Sequence, residues 1–238
     1  MNYALIFAGG TGVRMNTHSR PKQFLELHGK PIIIYTLEHF QHHPEVEGMV
    51  VVCLKEWVPE LKKQIKRYEL DKVIRVVQGG ETGHQSINKG LEELNKCCKD
   101  ADIILVHDGV RPLITAELIS KNIAMAQKEG TAITVESSWE SIVRSEDGKT
   151  ITEVPDRSEM YIARAPQSFR FELLWDLHQR AKKEGKDFTD SSHLFRYYDV
   201  TLHLVESSPN NIKITEPNDY YIFRALFEVF ENQQIIGG

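Results

Sequence analysis

Residues 3–24 read YALIFAGGTGVRMNTHSRPKQF, and the start of this stretch indicates the fold class. Residues 3–8 form an apolar run that passes directly into a glycine-rich segment, which is the pattern of a buried strand feeding a loop. Four later segments are likewise short and apolar: residues 48–54, 73–78, 102–107 and 131–135. Helix-like stretches lie between them: residues 30–40, 58–68, 86–95 and 115–129. Continuous apolar strands alternating with helices predict an α/β fold, a Rossmann-like, mostly parallel sheet with helices on both faces.

The alternation stops at residues 136–161, which are polar and carry an Asp147-Gly148 turn between two extended pieces. This pattern predicts a β-hairpin arm. Beyond it the α/β pattern resumes, with a helix at 170–184, a helix from Asp190, a strand at 201–205 and a closing helix at 218–231. A chain of 238 residues is the size of one domain, so we expect a single domain over residues 1–238 with the arm as an appendage.

Composition excludes several classes of protein. The formal net charge is −5 and no basic stripe is present, so we expect no nucleic-acid partner. The three cysteines, Cys53, Cys97 and Cys98, indicate neither a disulfide framework nor a zinc site. No signal peptide is visible and the apolar runs are far too short to span a membrane, so we expect a cytoplasmic protein.

The glycine-rich segment after the first strand suits a phosphate group. Glycines let the backbone approach a phosphate closely, and Arg14 and Lys22 add positive charge beside it. The segment matches neither the dinucleotide-binding pattern nor the P-loop pattern. The alternative is a tight turn with exposed basic residues, but two cations and the intervening Pro21 favour a binding site.

Three more polar clusters fall at predicted strand ends, where ligands bind in such sheets. Residues 79–86 are small and suit a flat base, although a plain turn with Ser86 as helix cap explains them equally well. Asp108 follows a buried strand and is a natural Mg²⁺ ligand beside phosphates; the alternative is a structural ion pair with Arg111. We expect His107 to be structural. The last cluster is residues 211–213.

Six motifs occur together in one order along nearly the whole chain: AGGTGVRM, PKQFL, HDGVRP, APQSF, TDSS and NIKIT. In this combination the chain resembles the IspD/TarI-type cytidylyltransferases, which act on 2-C-methyl-D-erythritol 4-phosphate or ribitol 5-phosphate. The resemblance implies a nucleotidyltransferase-type fold, CTP and a small polyol phosphate as substrates, Mg²⁺ as cofactor and a homodimer joined through the arm.

The resemblance also implies roles for individual residues. The positions that match nucleotide-binding residues are Ala8, Gly9, Gly10, Thr11, Gly12, Gly80, Glu81 and Ser86. The positions that match catalytic cations are Arg14, Lys22 and Lys213. The positions that match acceptor-binding residues are Asp108, Arg111, Ser141, Arg157 and Thr189. Asp108 also matches the magnesium-associated carboxylate, and Arg157 matches an arm residue that reaches the neighbouring subunit's site.

Three departures from the family pattern bear on the acceptor. Gly83 and Ala165 stand where Arg and Thr are common, and Ser141 replaces a frequent Thr. The motifs around residues 107–112 and 160–169 favour ribitol 5-phosphate, whereas Thr189-Asp190 looks like the methylerythritol branch. We therefore favour ribitol 5-phosphate and keep 2-C-methyl-D-erythritol 4-phosphate as the alternative. A non-catalytic nucleotide-binding regulator is a third reading, disfavoured by the intact cations. An NAD-dependent oxidoreductase is disfavoured by the failed glycine pattern.

Overall fold

The computed structural model describes residues 1–10 and 20–236. Nine strands lie within these ranges: β1 (Asn2–Ala8), β2 (Glu26–Leu27), β3 (Lys30–Pro31), β4 (Gly48–Cys53), β5 (Val73–Gln78), β6 (Ile103–Asp108), β7 (Thr131–Ser137), β8 (Tyr161–Arg170) and β9 (Leu204–Glu206). The α-helices in the same ranges are α1 (Ile32–His42), α2 (Val58–Arg67), α3 (Gly83–Leu94), α4 (Ala116–Glu129), α5 (Phe171–Lys183), α6 (Ser191–Tyr197) and α7 (Pro217–Ile236). No helix among the described residues is both long enough and apolar enough to cross a bilayer.

Seven strands form one sheet in the order β5-β4-β1-β6-β8-β7-β9. All of its neighbouring pairs are parallel except those made by β8, which runs antiparallel to β6 and β7. The mostly parallel sheet predicted from the sequence is thereby confirmed. In the register of the sheet, Ala8 pairs with Cys53 and Phe7 with Asp108, so β1, β4 and β6 end at one edge.

Helices cover both faces of the sheet, which explains why its central strands are apolar on both sides. One core cluster packs α1, α2 and α4 against the sheet, and a second packs α3, α5 and α6 against the other face. Helix α3 lies very close to β1, because a Cβ at Gly90 would fall 2.2 Å from Cδ1 of Leu5. The C-terminal helix α7 joins a third cluster in which Phe223 meets Tyr35 of α1.

The sequence pattern predicts no element between residues 161 and 170, yet β8 occupies this segment. The expectation was wrong because Pro166 breaks the strand pattern. Pro166 falls between two paired stretches of β8, where its register with β7 shifts, so the missing N–H costs no ladder bond. The short β2–β3 pair was also not predicted, and His28 there has a φ of +50°.

The helix boundaries agree with expectation to within two residues, except at the start of α3 and at the end of α7, which continues to Ile236 beyond the predicted residue 231. Thr115, the first residue of the predicted range, caps α4, because its side chain accepts a hydrogen bond from the N–H of Leu118. Helix α3, however, begins three residues before the predicted start and is capped by Thr82, not by Ser86. Ser86 lies inside the helix, where its hydroxyl is free to support the preceding loop.

Residues 138–160 extend from the end of β7 to the start of β8 with few contacts. A single antiparallel bridge joins Arg144 and Glu153, and Gly148 adopts the left-handed conformation (φ +68°) that the turn requires. Large apolar side chains on and beside this segment are exposed: Trp139, Ile142, Val143, Ile151, Val154, Tyr161 and Ile162. We refer to residues 138–160 as the arm.

Candidate functional site

A cavity of about 260 Å³ opens at the sheet edge where β1 and β6 end. Five residues expected at the site or near it line this cavity: Gly83, Asp108, Arg111, Thr189 and Lys213. They come from α3, β6 and three separate loops. The structure therefore brings together clusters that lie more than 100 residues apart in the sequence.

Asp108 forms ion pairs with two cations of the cavity wall, Arg111 and Lys213. It is only 5% exposed, and its Oδ2 accepts a hydrogen bond from Nε of Arg111 at 2.8 Å. Its Oδ1 lies 2.5 Å from Nζ of Lys213. Burial alone would raise the pKa of Asp108, but the charges of Lys213 and Arg111 outweigh it and lower the pKa to about 2. The carboxylate is thus ionised at neutral pH, and the ion pair considered as an alternative from the sequence is present.

The segment that carries Lys213 is bound to neighbouring loops by hydrogen bonds. The N–H of Ile214 donates to the carbonyl of Val110, and Nη1 of Arg111 donates to the carbonyl of Asn211 at 2.8 Å. The side chain of Asn211 in turn donates to the carbonyl of Ala165 at 2.7 Å. Asn211 therefore fixes both Arg111 and β8, a positioning role that its place as the first residue of the NIKIT motif did not reveal.

The glycine-rich segment is described only at its two ends. Lys22 opens a short 3₁₀ helix and is 9% exposed, so the lysine expected to face phosphates is largely enclosed. Its neighbour Gln23 donates from Nε2 to the carbonyl of Ala8 at 2.6 Å and reaches that of Gly10 at 3.4 Å. Gln23 thus links the end of β1 to the 3₁₀ helix. The expected site residues Thr11, Gly12 and Arg14 lie outside the described residues.

The loop before α3 is held tightly by its own side chains. The hydroxyl of Ser86 accepts from the N–H of Gly80 at 3.0 Å, and Oε1 of Gln85 accepts from the N–H of Glu81 at 3.0 Å. A Cβ at Gly80 would lie 2.4 Å from Cβ of Gln85, so only glycine suits this position. Gly9 approaches the same place, since its added Cβ would lie 3.5 Å from Oγ of Ser86. The structure therefore brings this loop to the first glycine segment.

The two site residues expected on the arm do not line the cavity. Ser141 and Arg157 are both exposed, and Arg157 makes a long hydrogen bond of 3.4 Å to the carbonyl of Trp139. His107 is structural as expected. It is fully buried against Phe40, and burial lowers its pKa to about 3.

One wall of the cavity was not assigned a role from the sequence. Arg164 and Gln167 of β8 and Ser191 of α6 form it. Nε and Nη2 of Arg164 both donate to Oε2 of Glu136, at 3.0 and 2.5 Å. Oε1 of Gln167 accepts from the N–H of Ser192 at 3.1 Å. Their motifs were recognised, but residue type alone did not show that these side chains share one wall.

The side chains that could act as metal ligands indicate how Mg²⁺ could bind. Among the described residues no group of three or more His, Cys, Asp or Glu side chains could hold a metal ion. Asp108 supplies one carboxylate to the cavity, and each of its oxygens keeps lone-pair capacity beyond one hydrogen bond. Mg²⁺ commonly binds through one or two carboxylates together with substrate phosphates. The residues therefore fit an ion that arrives with a nucleotide and not a resident metal.

A larger groove of about 720 Å³ lies elsewhere, between α1, residues 112–116 and α7. It contains none of the expected site residues and no charged cluster facing a strand end. We therefore place the functional site at the smaller cavity, where the expected site residues lie together at the strand ends.

The chain matches a family model described as IspD, 2-C-methyl-D-erythritol 4-phosphate cytidylyltransferase, over residues 3–228. A curated protein of Streptococcus agalactiae serotype Ia, a ribitol-5-phosphate cytidylyltransferase, is 45% identical over 100% of both chains. A 2-C-methyl-D-erythritol 4-phosphate cytidylyltransferase of Clostridium botulinum is 34% identical over 95% of this chain and 97% of its own.

Solved structures carry the same fold. The crystal structure of 4-diphosphocytidyl-2C-methyl-D-erythritol synthase from Anaerococcus prevotii superposes with a TM-score of 0.82. The superposition covers 96% of each chain at 27% sequence identity. The sheet and its covering helices are therefore shared along nearly the full length.

Proposed function

Because this chain belongs to the IspD family of cytidylyltransferases, we propose that it transfers CMP from CTP to ribitol 5-phosphate and releases pyrophosphate. The preference for the pentitol phosphate is supported by the greater similarity to the ribitol-5-phosphate enzyme, at 45% against 34% identity for the methylerythritol enzyme. It is also supported by the cavity, whose volume of about 260 Å³ suits a small acceptor.

The observation that carries the proposal is the Arg111–Asp108–Lys213 ion triad at the cavity wall. Two cations share one carboxylate, so the triad has a net positive charge where a substrate phosphate would lie. Lys213 is about one-third exposed while Arg111 is buried. Lys213 is thus the partner able to turn toward a phosphate, while Asp108 and Arg111 hold its position.

The chemistry requires one displacement. An oxygen of the acceptor's phosphate attacks the α-phosphorus of CTP, a P–O bond forms, and the bond to the departing pyrophosphate breaks. A phosphate monoester dianion is already a nucleophile, so the protein needs no general base. Catalysis then comes from positioning and from stabilising charge on the transferring phosphoryl group.

Three cations of this chain would supply that charge stabilisation. Lys22 is held at the start of the 3₁₀ helix, next to the carbonyls fixed by Gln23. Lys213 is paired with Asp108 at the end of β6, and Arg14 belongs to the glycine-rich segment between β1 and Lys22 in the sequence. Fixed ammonium and guanidinium groups need no reorganisation as charge develops, which is the main advantage of such a site.

We assign the nucleoside to the two glycine-containing loops. Ser86 links these loops, because its hydroxyl accepts from the N–H of Gly80 and a Cβ at Gly9 would lie 3.5 Å from its Oγ. The base would enter a narrow slot between the loops. A narrow slot favours a pyrimidine over a purine. Ala8, Gly10 and Glu81 adjoin the same slot and would contribute backbone groups.

Mg²⁺ is proposed as the cofactor and would bind through Asp108 together with the phosphates of CTP. When bound, it would neutralise phosphate charge at the reacting end of the cavity. Asp108 is suited to this because its lowered pKa keeps it ionised.

We also propose a homodimer. The arm exposes a run of apolar side chains, of which Trp139 is 78% exposed, and an isolated two-stranded hairpin is marginally stable in water. A second copy of the arm would cover this surface with two-fold symmetry. Arg157 and Ser141 do not reach the cavity of their own chain, so they would serve the acceptor site of the partner.

Pyrophosphate release tests the proposal. The purified protein is incubated with Mg²⁺, CTP and either ribitol 5-phosphate, 2-C-methyl-D-erythritol 4-phosphate or no acceptor, and ATP and GTP replace CTP in parallel. We expect release with CTP and ribitol 5-phosphate and little with either purine nucleotide. The methylerythritol phosphate is the second candidate, favoured by the description of the family model. Release with neither acceptor would support a nucleotide-binding regulator.

A further inference from the structure

We propose that Ser191, on the cavity wall shared with Arg164 and Gln167, binds a hydroxyl group of the acceptor chain and makes the enzyme selective for an unbranched polyol. This inference rests on the proposed function and specifies the acceptor end of the same site. Ser191 is the first residue of α6, two positions after Thr189, and it lines the same cavity as the triad that would meet the phosphate.

What distinguishes Ser191 is that it combines a buried hydroxyl without a partner among the described residues with a place on the cavity wall. The residue is 2% exposed, and its Oγ has no hydrogen-bond partner among the described residues although it lines the cavity. A buried unsatisfied hydroxyl costs about 1–3 kcal/mol, so native proteins rarely retain one unless a water or a ligand completes it. A hydroxyl of the bound acceptor would satisfy this group, as both donor and acceptor.

The neighbouring wall is polar and rigid. Arg164 is held by two bonds to one oxygen of Glu136, and these bonds use only two of the five N–H groups of its guanidinium. Gln167 is oriented by the N–H of Ser192. A ligand entering this end of the cavity therefore meets fixed polar groups that hydroxyls can bond and a methyl group cannot.

This arrangement discriminates between the two acceptors named for the relatives. A linear pentitol presents hydroxyl groups along its whole chain, whereas a branched methyl against this wall would leave polar groups buried and unpaired. Sites built to bond a hydroxyl reject analogues that lack it much more strongly than apolar pockets reject an extra group. Ser191 is thus a specificity-determining residue for the reaction.

The test is Ser191→Ala, with Ser192→Ala as the matched control. Ser192 is the next residue of α6, and its Oγ is likewise buried without a partner among the described residues, but it does not line the cavity. For each variant we would measure the melting temperature without ligands, the KM for CTP, and kcat/KM for ribitol 5-phosphate and for 2-C-methyl-D-erythritol 4-phosphate.

The expected result is specific to the acceptor. Ser191→Ala should melt no lower than the parent, because it removes an unsatisfied group, and should keep the KM for CTP. Its kcat/KM for ribitol 5-phosphate should fall about 10-fold, as for one lost hydrogen bond with an unpaired partner, and that for the methyl-branched acceptor by less than about 2-fold. Ser192→Ala should leave kcat/KM for both acceptors unchanged.

Three outcomes would overturn the inference in distinguishable ways. If the parent transfers CMP to ribitol 5-phosphate and Ser191→Ala keeps the parent's ratio between the acceptors, Ser191 does not read the acceptor and the proposed function stands. If the parent transfers CMP to neither acceptor, the proposed function fails and the inference fails with it. A marked drop in the melting temperature of Ser191→Ala alone would show that its hydroxyl has an internal role, and would also contradict the proposal.

Discussion

Nζ of Lys213 lies 2.5 Å from Oδ1 of Asp108, although the two residues are 105 positions apart in the sequence. The other oxygen of Asp108 is paired with Nε of Arg111, so one carboxylate sets the position of two cations. This contact joins the end of β6 to the loop before α7 and places a lysine at the mouth of the cavity. The contact thus gives the cavity the positive charge that a site for phosphate groups needs.

Asp108→Asn should therefore damage both stability and activity. An asparagine leaves Arg111 buried without its counter-charge, and breaking a buried pair in this way costs about 3–5 kcal/mol of the free energy of unfolding. Turnover should fall by at least about 10²-fold, because Lys213 loses its anchor and the proposed Mg²⁺ loses its carboxylate. Urea unfolding and pyrophosphate release would measure the two effects.

Glu117→Gln is the control for this substitution, since Glu117 pairs with Lys121 on the exposed surface of α4. It should change neither the free energy of unfolding nor turnover, because exposed ion pairs contribute little to stability. A folded Asp108→Asn protein that binds CTP and turns over like the parent would show that the carboxylate has a structural role only.

Lys22→Ala should lower turnover by about 10²–10³-fold with the fold intact, the usual effect of removing one charge-stabilising donor. Lys22 opens a 3₁₀ helix that follows β1, and Lys55 opens the corresponding 3₁₀ helix after β4 but is exposed. Lys55→Ala is therefore the matched control and should keep the parent's turnover. Equal pyrophosphate release by the two variants would remove Lys22 from the catalytic set.

The sequence was sufficient for the parallel part of the fold and insufficient for β8. Strands β1, β4 and β6 are buried on both faces, so each appears as a continuous apolar run bounded by turn residues. Strand β8 contains Pro166 and two arginines, and its pairing depends on a register shift with β7 that only the assembled sheet defines.

The site was likewise predicted where chemistry follows from residue type. Asp108, Arg111 and Lys213 are charged residues at strand ends, and the structure brings them together. The roles of Ser191 and Arg164 could not be assigned from the sequence, because a serine or an arginine can serve many purposes and only the structure shows that these two line the cavity. Gln23 and Asn211 lie in recognised motifs, but their positioning roles were not predicted, because their side chains act through backbone carbonyls.

Acid should destabilise the protein well before Asp108 is protonated. Burial lowers the pKa of both His107 and His178 to about 3, against an ordinary value of 6.5, so both are neutral in the folded state. The unfolded chain binds these protons first, so their contribution to stability is complete above about pH 6.5 and is lost as the pH falls toward 3.

Each histidine should add a slope of about 1.4 kcal/mol per pH unit to the free energy of unfolding within this window. His178→Phe keeps an aromatic ring beside His84, with which His178 stacks at 4.5 Å, and should reduce the slope by that amount. An unaltered slope in His178→Phe, followed by urea unfolding between pH 4 and 7, would contradict the assignment.

Activity should follow a different pH dependence. Asp108 has a pKa lowered to about 2, so it remains ionised throughout the range in which the protein is folded. The acidic limb of kcat/KM should instead lie near pH 6, where a phosphate monoester loses its second proton and becomes the nucleophile. An acceptor phosphonate with a higher second pKa should move the limb upward, whereas a limb that does not move would point to an enzyme group.

Arg157 should act on the partner's site. An Arg157→Ala chain and an Arg14→Ala chain, each nearly inactive alone, should regain activity when their subunits are mixed, because the heterodimer contains one intact site. Arg144→Ala is the control on the same arm, and it should remain active without mixing. A monomer by sedimentation, or no recovery after confirmed subunit exchange, would exclude the arrangement in trans.

The identity of the product tests the central claim most directly. The protein is incubated with CTP, Mg²⁺ and ribitol 5-phosphate and the mixture is followed by ³¹P nuclear magnetic resonance. We predict a pair of coupled diphosphate signals from a CDP-linked pentitol, growing in equal amount with pyrophosphate and only when both substrates are present. Formation of CMP and pyrophosphate without the diphosphate ester, or no turnover of CTP at all, would contradict the account.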